Sequence, residues 1–173
     1  MAVVPTIYNW VSNQVVTAAE MLANVNAFFT FLTNLPACEA YASAAQNHPT
    51  SGTFQLITLD GIAINTDGMW VIGANNKITI QTAGTYLITA GVSFASNATG
   101  RRLASLYLNG AAITQTEAPL ASGGACVMCP PIRRHLNAGD YLQLYGYQSS
   151  GAALAYNVGD GNTFVSIQMV STQ

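Results

Sequence analysis

The chain has 173 residues, of which 50% are apolar and only 7% are charged, and its formal net charge is -2. Its length predicts one domain, or one domain with a small appendage. A globular domain has about 25% charged residues on average, so we expect apolar surface here to be covered by another subunit. The net negative charge argues against nucleic-acid binding, since affinity for phosphates comes from clustered cations.

The first predicted element is a helix over about residues 17–34. Thr17 is the predicted N-cap, and Glu20 stands at the third helical position of a T-x-x-E capping box. Val16 and Met21 occupy the two positions of a hydrophobic staple around that start. The helix is too short and too polar to span a membrane, which takes about 20 apolar residues, so membrane insertion is not expected.

An apolar stripe runs along this helix with the i, i+3, i+4, i+7 spacing of one buried face. The stripe consists of Ala18, Met21, Leu22, Val25, Phe28, Phe29 and Leu32. Pro36 disfavours helical geometry at the residue before it and therefore ends the helix. A single helix cannot bury such a stripe on itself. We expect the stripe to pack on the following domain, on copies of itself or on another protein.

Three regions are predicted: an attachment segment over 1–40, a linker over 41–53 and a β head over 54–173. The linker is rich in small, polar and turn-forming residues. The head alternates apolar runs with turn signals such as DG, NG and GDG, which is typical of an all-β sandwich or jelly roll. The predicted strands are FQLITL, GMWVI, KITIQ, TYLITAGVSFA, RRLASLYLN, AAITQT, ACVMC, IRRHL, DYLQLYGYQ and TFVSIQMVS.

Alternation within two of these strands predicts which side chains face the core. The predicted core face of TYLITAGVSF carries Tyr86, Ile88, Ala90, Val92 and Phe94. Leu142 and Leu144 share the inner face of DYLQLYGYQ, whose outward face carries Tyr141, Gln143, Tyr145 and Tyr147. A row of tyrosines is too apolar for bulk solvent and too hydroxylated for a dry core. It suits a subunit interface or a ligand platform.

Four of the five Lys and Arg residues form two doublets, Arg101-Arg102 and Arg133-Arg134. Neighbours in a strand project to opposite faces, so a doublet does not make a phosphate-binding patch. One arginine of each pair is predicted at the edge of the core, with its guanidinium bound to carbonyls or to a carboxylate such as Glu117 or Asp140. Arg102 is that residue in the first doublet, and Arg101 faces outward. The predicted subunit interface consists of Arg101, Leu103, Tyr107, Tyr141, Tyr145 and Tyr147.

The sequence contains no group of residues that predicts catalysis. It has no G-x-S-x-G, P-loop or H-E-x-x-H motif. His135 and Asp140 could be placed in a triad only on paper, and turn chemistry explains the acidic residues beside glycines. We therefore expect a protein that is not an enzyme.

Cys126 and Cys129 have the C-x2-C spacing of half a zinc site, with His135 as a further candidate ligand. A second pair is missing, and residues three apart in a strand point to opposite faces. Two buried free thiols are therefore predicted here, and Cys38 is predicted to be reduced as well.

Calcium is the other metal that the sequence raises. GDGN at residues 159–162 and Asp140 could supply oxygen ligands. A tight turn explains the same GDG sequence, so no cofactor is predicted.

Three stretches of the head resemble the C1q/TNF-like jelly-roll family. They are AGTYLITAGVSFASNATGRRLASLYLNGAAI, LNAGDYLQLYGYQSSG and GDGNTFVSIQMV, within about residues 77–170. Members of the family share an AG-x-Y strand, a later L-x-x-GD strand and a closing G-x-x-(S/T)-F strand, in this order. The resemblance implies a jelly-roll head that forms a homotrimer.

The N-terminal stretch YNWVSNQVVTAAEMLANVNAFFTFLTNLPA resembles the opening of minor structural proteins of tailed bacteriophages. The likeness is carried by Trp10, Val15, Thr17, Ala18, Ala23 to Val25 and Pro36. Such proteins often join an N-terminal attachment segment to a β head, so the resemblance implies a virion protein, assembled in the host cytoplasm. The residues assigned to attachment are Trp10, Val16, Thr17, Glu20, Met21, Leu22, Val25, Phe28, Phe29 and Leu32.

Together the two resemblances favour a structural virion protein: a trimeric β knob fixed to the capsid or tail by residues 1–40, with other virion proteins as partners. The alternative is a receptor-binding tip with the same trimeric head. It would bind a host-surface glycan on tyrosines such as Tyr145, Tyr147 and Tyr156.

Overall fold

The computed structural model describes residues 15–49, 52–74, 76–118 and 124–172. In these ranges one helix, α1 (Ala18–Thr33), precedes the strands. The strands are β1 (Ala37–Tyr41), β2 (Asn47–His48), β3 (Phe54–Leu56), β4 (Gly61–Asn65), β5 (Ile78–Thr79), β6 (Gly84–Phe94), β7 (Arg102–Leu108), β8 (Ala111–Ala118), β9 (Ala125–Leu136), β10 (Tyr141–Gln148), β11 (Leu154–Ala155) and β12 (Phe164–Ser171). No helix in the described ranges is long and apolar enough to cross a membrane.

Helix α1 begins at the predicted capping box. The hydroxyl of Thr17 accepts a hydrogen bond from the Glu20 backbone N–H at 3.2 Å, and the Glu20 carboxylate accepts one from the Thr17 N–H at 2.9 Å. At the other end, the Asn34 N–H donates to the Thr30 carbonyl at 3.0 Å and closes the last turn. The predicted amphipathic helix is confirmed, with ends one residue inside the predicted range on either side.

Two antiparallel sheets pack face to face. The first has the strand order β4-β1-β12-β6-β9, and the second has the order β3-β10-β7-β8, with β5 also pairing with β10. The core lies between them and includes the whole predicted inner face of β6, from Tyr86 to Phe94. Leu106 of β7 and Leu144 of β10 meet that face from the second sheet, and both are fully buried. The predicted β sandwich is confirmed.

The head begins earlier in the chain than the boundary predicted at residue 54. Strand β1, at residues 37–41, lies between β4 and β12 inside the first sheet. The predicted linker, 41–53, is also held against the head. The Gln46 side chain donates to the Thr58 carbonyl at 2.7 Å and accepts from the Thr58 N–H at 2.9 Å, and His48 is fully buried in β2. Residues 42–49 are therefore a folded loop of the head and not a separate linker, although their composition is rich in turn-forming residues.

The segment between β4 and β5 also differs from the prediction. GMWVI was predicted as a strand, but residues 68–72 belong to no strand. Met69 is buried in the core, and Trp70 donates its indole N–H to the Leu59 carbonyl at 2.7 Å. The neighbouring stretch GIAIN, for which no strand was predicted, forms β4. Short apolar runs do not show by themselves which of two adjacent stretches will pair.

ACVMC and IRRHL, predicted as two strands, form the single strand β9. This strand runs through Pro130 and Pro131, and its register against β6 shifts between Ile88 and Ala90. The shift marks a β-bulge, and β9 is an edge strand of the first sheet. Proline is tolerated at such places because the N–H that it lacks is not needed for the ladder.

Candidate interaction surfaces

The outer surface of the second sheet is rich in tyrosines, and we call it the tyrosine face. It consists of Phe54, Arg101, Leu103, Tyr107, Glu117, Tyr141, Gln143, Tyr145 and Tyr147, which cross-strand pairing and the Arg101–Glu117 contact place together. The rings of Tyr107 and Tyr145 have their centroids 4.3 Å apart, and those of Phe54 and Tyr147 are 5.3 Å apart. Both separations fall at or near the range for favourable aromatic pairs, so the rings support one another.

The structure brings together on this face all the residues predicted for the subunit interface. Leu103 is only 5% exposed, so it lies beneath the neighbouring side chains and has little surface left for contact with a partner. Tyr141 lies at one end, with the Lys77 ammonium 5.4 Å from the centroid of its ring. That another subunit covers this face remains a prediction.

Arg101 faces outward and binds Glu117 of the neighbouring strand. Its Nε donates to Oε1 at 2.6 Å, and its Nη2 bonds to Oε2, so the pair is bidentate. The Arg101 guanidinium lowers the pKa of Glu117, and the carboxylate raises the pKa of Arg101. Both side chains are exposed, so solvent screens the pair and it adds little to stability. Glu117, offered by the sequence as a partner of Arg102, is therefore bound to Arg101.

Arg102 points the other way and is only 2% exposed. Its Nη1 donates to the carbonyls of Thr99 and Arg101 at 3.0 Å each, and its Nη2 donates to the Asn97 carbonyl at 3.1 Å. Burial lowers the pKa of Arg102 from its usual value, because a desolvated guanidinium is less stable in its charged form. The predicted core-edge arginine bound to carbonyls is confirmed.

The second doublet does not follow the same rule. Register places Arg134 opposite Tyr86, on the side of β9 that faces the core, yet Arg134 and Arg133 are both exposed. Strand β9 lies at the edge of its sheet, where the core-facing side remains open to solvent. The prediction of one packed arginine in each doublet is therefore wrong for this pair.

A second apolar surface lies on the outside of the first sheet, and the sequence analysis did not predict it. Five successive cross-strand partners form one line across the sheet, which we call the glycine-backed row: Gly61, Tyr41, Phe164, Gly91 and Met128. A Cβ at Gly91 would lie 2.5 Å from the Met128 sulfur and 3.2 Å from Phe164, and one at Gly61 would overlap the Tyr41 ring. The large side chains therefore lie flat on the backbone. A glycine within a strand, such as Gly91, is the signal that could have found this row.

The next line of cross-strand partners on the same outer face consists of Ile64, Glu39, Ser166 and Thr89. Ser166 and Thr89 have short side chains, and Ile64 of β4 is exposed at the edge of this line. A sheet face with flat rings and short side chains allows another sheet to approach closely. It is therefore well shaped for contact with a protein surface.

The apolar stripe of α1 is exposed in the structure. All its members are solvent-accessible, and Phe29 and Leu32 have 62% and 63% of their surface exposed. Phe31, which lies outside the stripe, is the helix side chain that packs against the core of the head. Trp10, predicted as part of the attachment surface, lies outside the described residues. The stripe was expected to pack on the head, on copies of itself or on another protein, and the head of its own chain does not cover it.

The junction between α1 and the head is fixed by hydrogen bonds. The Thr66 hydroxyl donates to the Leu35 carbonyl at 2.7 Å and accepts from the Ala37 N–H at 2.9 Å. The Pro36 carbonyl accepts from the Met169 N–H at 2.8 Å. These contacts hold Leu35 and Pro36 to the head, and together with the packing of Phe31 they fix how α1 leaves it.

The candidate residues for calcium do not come together. Asp140 accepts from the Asn137 N–H of its own turn at 2.7 Å and from the side chain of Asn109, which follows β7, at 2.8 Å, so protein donors bind this carboxylate. It lies beside the start of β6, whereas Asp160 lies in the loop held to the end of β6 through Ser93. The full length of that strand separates the two carboxylates. Within the described residues, no three His, Cys, Asp or Glu side chains are grouped to hold a metal ion.

The three cysteines are free thiols in different environments. Cys126 and Cys129 lie on opposite faces of β9, as predicted, but Cys126 is exposed, so the prediction of two buried thiols is wrong for it. Burial raises the pKa of Cys38 to about 12 and that of Cys129 to about 11. These two thiols are therefore protonated and poorly reactive at neutral pH.

Tyr156 is not part of any outward platform. It is 4% exposed, its ring lies over Gly146, and the centroid of that ring is 5.3 Å from that of Phe94. Burial raises its pKa well above the usual value. The prediction that Tyr156 takes part in glycan binding is wrong, because the residue belongs to the core.

The sequence matches no protein-family model and no curated protein. Solved structures do match the fold. An Eiger TNF from S. frugiperda has a TM-score of 0.60 at 10% identity, over 80% of this chain and 94% of that one. The globular domain of zebrafish complement 1qA protein has a TM-score of 0.52 at 13% identity, over 78% and 97%. Murine APRIL has a TM-score of 0.56 at 11% identity, over 78% and 98%.

These likenesses define the class of the fold. The head is a C1q/TNF-like jelly roll, as the sequence predicted, preceded by one short helix. At this level of identity the likeness establishes architecture alone, because one fold supports many functions.

Proposed function

We propose that this chain is a non-enzymatic structural protein of a tailed-bacteriophage virion, a homotrimeric β knob attached to the capsid or tail through its N-terminal segment. The observation that carries the proposal is α1, a well-capped helix whose apolar stripe remains exposed although the helix is fixed to a folded head. An exposed apolar stripe of this length is typical of an assembly surface. The expected partners are further copies of this chain and other virion proteins.

The homotrimer rests on the fold, because C1q/TNF-like domains commonly form trimers. We propose that the glycine-backed row makes the main contact between subunits. Its flat rings and the short side chains of Ser166 and Thr89 permit close approach, and the sheet that carries the row also carries β1, which continues from α1. Both faces carry charge, Glu39 beside the row and the Arg101–Glu117 pair on the tyrosine face, but the tyrosine face also has phenol hydroxyl groups that must stay hydrated. Contact between subunits on the tyrosine face remains the competing prediction.

The attachment role predicts that removing residues 1–34 abolishes incorporation into particles. The deletion leaves Leu35 and Pro36 in place, because a cut at residue 40 would remove β1 and unfold the first sheet. The truncated chain should stay folded and trimeric by light scattering, yet be lost from purified particles. Full-length chain with Val71→Ala, a change in an exposed loop, is the control and should be incorporated normally. Normal decoration by the truncated chain would contradict attachment through this segment.

A second candidate function is supported by the tyrosine face. If subunits meet through the first sheet, the paired rings of Tyr107 and Tyr145 remain outward, beside the amide of Gln143. Aromatic faces with adjacent amides suit a glycan, which stacks on rings and exchanges hydrogen bonds. Tyr145→Ala should then weaken binding to host-surface glycan about tenfold. A glycan array with Val71→Ala as control measures this, and equal binding by both variants would exclude the face.

A further inference from the structure

We infer that the α1 helices of three copies pack against one another as a parallel three-helix coiled coil at the base of the trimer. The inference rests on the proposed homotrimer and names the partner of the apolar stripe: the second and third copies of this chain. It follows from the spacing of the stripe, its width, its lack of charge and the rigid junction with the head.

The spacing of the stripe is that of a heptad repeat. Ala18, Met21, Val25, Phe28 and Leu32 are separated by three, four, three and four residues, so they occupy successive a and d positions. A strict repeat of seven keeps one seam facing a neighbouring helix when helices supercoil around each other. The same spacing occurs on helices that pack against a globular domain, but the head leaves this stripe exposed.

The width of the stripe favours more than two helices. Leu22 and Phe29 follow the d residues at e positions and are as exposed as the seam itself. An a/d seam alone is narrow, as in a two-stranded coil, whereas a stripe of a, d and e spans over 100° of the helix surface. A third helix covers the additional side chains.

Charge on α1 does not oppose association of identical chains. Its one ionisable side chain is Glu20, which lies off the stripe, at a c position, and is engaged with the cap at Thr17. Identical helices side by side therefore bring no like charges together at the seam. The same lack of charge gives a basic or acidic partner nothing to recognise, so the best-matched surface for this helix is another copy of itself.

The rigid junction offsets the shortness of the helix. Two heptads are marginal as a free-standing coiled coil, because isolated helices of this length are barely stable in water. Here each helix is fixed to a head by Phe31 and by the hydrogen bonds of Leu35, Pro36 and Ala37. A trimer of heads with their first sheets towards the axis would hold the helices together at an effective concentration of about millimolar. The stripe then serves assembly of the trimeric knob, and attachment to the virion remains a property of the N-terminal segment as a whole.

Disulfide trapping in the full-length chain tests the inference. Cys126→Ser removes the exposed thiol, while Cys38 and Cys129 remain buried and protonated. Val25→Cys then places a thiol at an a position. Ala23→Cys, its matched control, places one at an f position on the opposite side of the helix. Both variants are oxidised at several dilutions and analysed on non-reducing gels, with the oligomeric state measured by sedimentation.

The Val25→Cys trimer should form linked dimers about tenfold faster than the Ala23→Cys trimer, at a rate that does not depend on dilution. At most two of every three chains can be linked, because each chain carries one thiol at the seam. A trimer in which both variants link at the same slow rate would overturn the coiled coil and leave the proposed trimeric knob standing. A monomeric chain would overturn both.

Discussion

Replacing Arg102 by Ala is expected to lower the free energy of unfolding of the head by about 3 kcal/mol. The guanidinium is buried and donates to the carbonyls of Asn97, Thr99 and Arg101, so its removal leaves three acceptors without this donor. For a chain of this size the loss corresponds to a melting temperature lower by about 6–12 °C. Calorimetry at one fixed protein concentration measures it, because the unfolding of an oligomer depends on concentration.

Two further variants separate the causes. Arg102→Met keeps most of the apolar stem but no donor, so it should lose nearly as much stability as Arg102→Ala if the hydrogen bonds dominate. Arg101→Ala removes the adjacent, exposed partner of Glu117 and should melt within experimental error of the parent. Equal melting temperatures for the two alanine variants would show that the buried guanidinium does not hold this end of the head together.

That Arg102 and Arg101 lie on opposite faces was predictable, because it depends on the alternation of side chains along one strand. In a strand, neighbouring side chains project to opposite faces whatever the rest of the fold does. The capping box of α1 was predictable for the same reason, since Thr17 and Glu20 satisfy each other three residues apart. The face on which a side chain lies can be predicted from alternation, but its burial cannot, since Arg134 lies on the core-facing side of β9 and is exposed.

Strand β1 could not be predicted in this way. Its core-facing residues are Cys38 and Ala40, which are small and give little strand signal. Its place in the sheet comes from pairing with β4 and with β12, one of which begins more than a hundred residues later. The sequence could not reveal that pairing, and the head was therefore predicted to begin at residue 54.

The glycine-backed row was missed for a related reason. Alternation does show that Gly91 and Phe164 face outward on their own strands. It does not show that they are direct partners, or that Tyr41 and Met128 continue the same line. Register between strands distant in sequence decides whether apolar residues form one surface or remain scattered, and register is a property of the assembled sheet. The tyrosine face was accessible to prediction because most of its rings lie on one strand, β10.

This difference matters for the subunit contact, and Phe164→Glu is the variant that tests it. Phe164 lies outward on β12, in the middle of the first sheet, where a carboxylate can stay hydrated in the single chain. In a trimer that meets through the glycine-backed row, each contact would bury that charge without a partner, at a cost of several kcal/mol. We expect at least a hundredfold weaker association, which corresponds to about 3 kcal/mol, and a monomer at micromolar concentration by sedimentation.

Matched variants make the result specific. Phe164→Leu keeps an apolar side chain at the same position and should remain trimeric, while Tyr145→Glu places the same charge on the tyrosine face and should also remain trimeric. Both glutamate variants are compared by circular dichroism, so that loss of assembly is not confused with loss of fold. If Tyr145→Glu gives folded monomers and Phe164→Glu leaves the trimer intact, the subunits meet through their tyrosines. The first sheet, which α1 enters through β1, would then face outward, and the three helices could not meet on the axis.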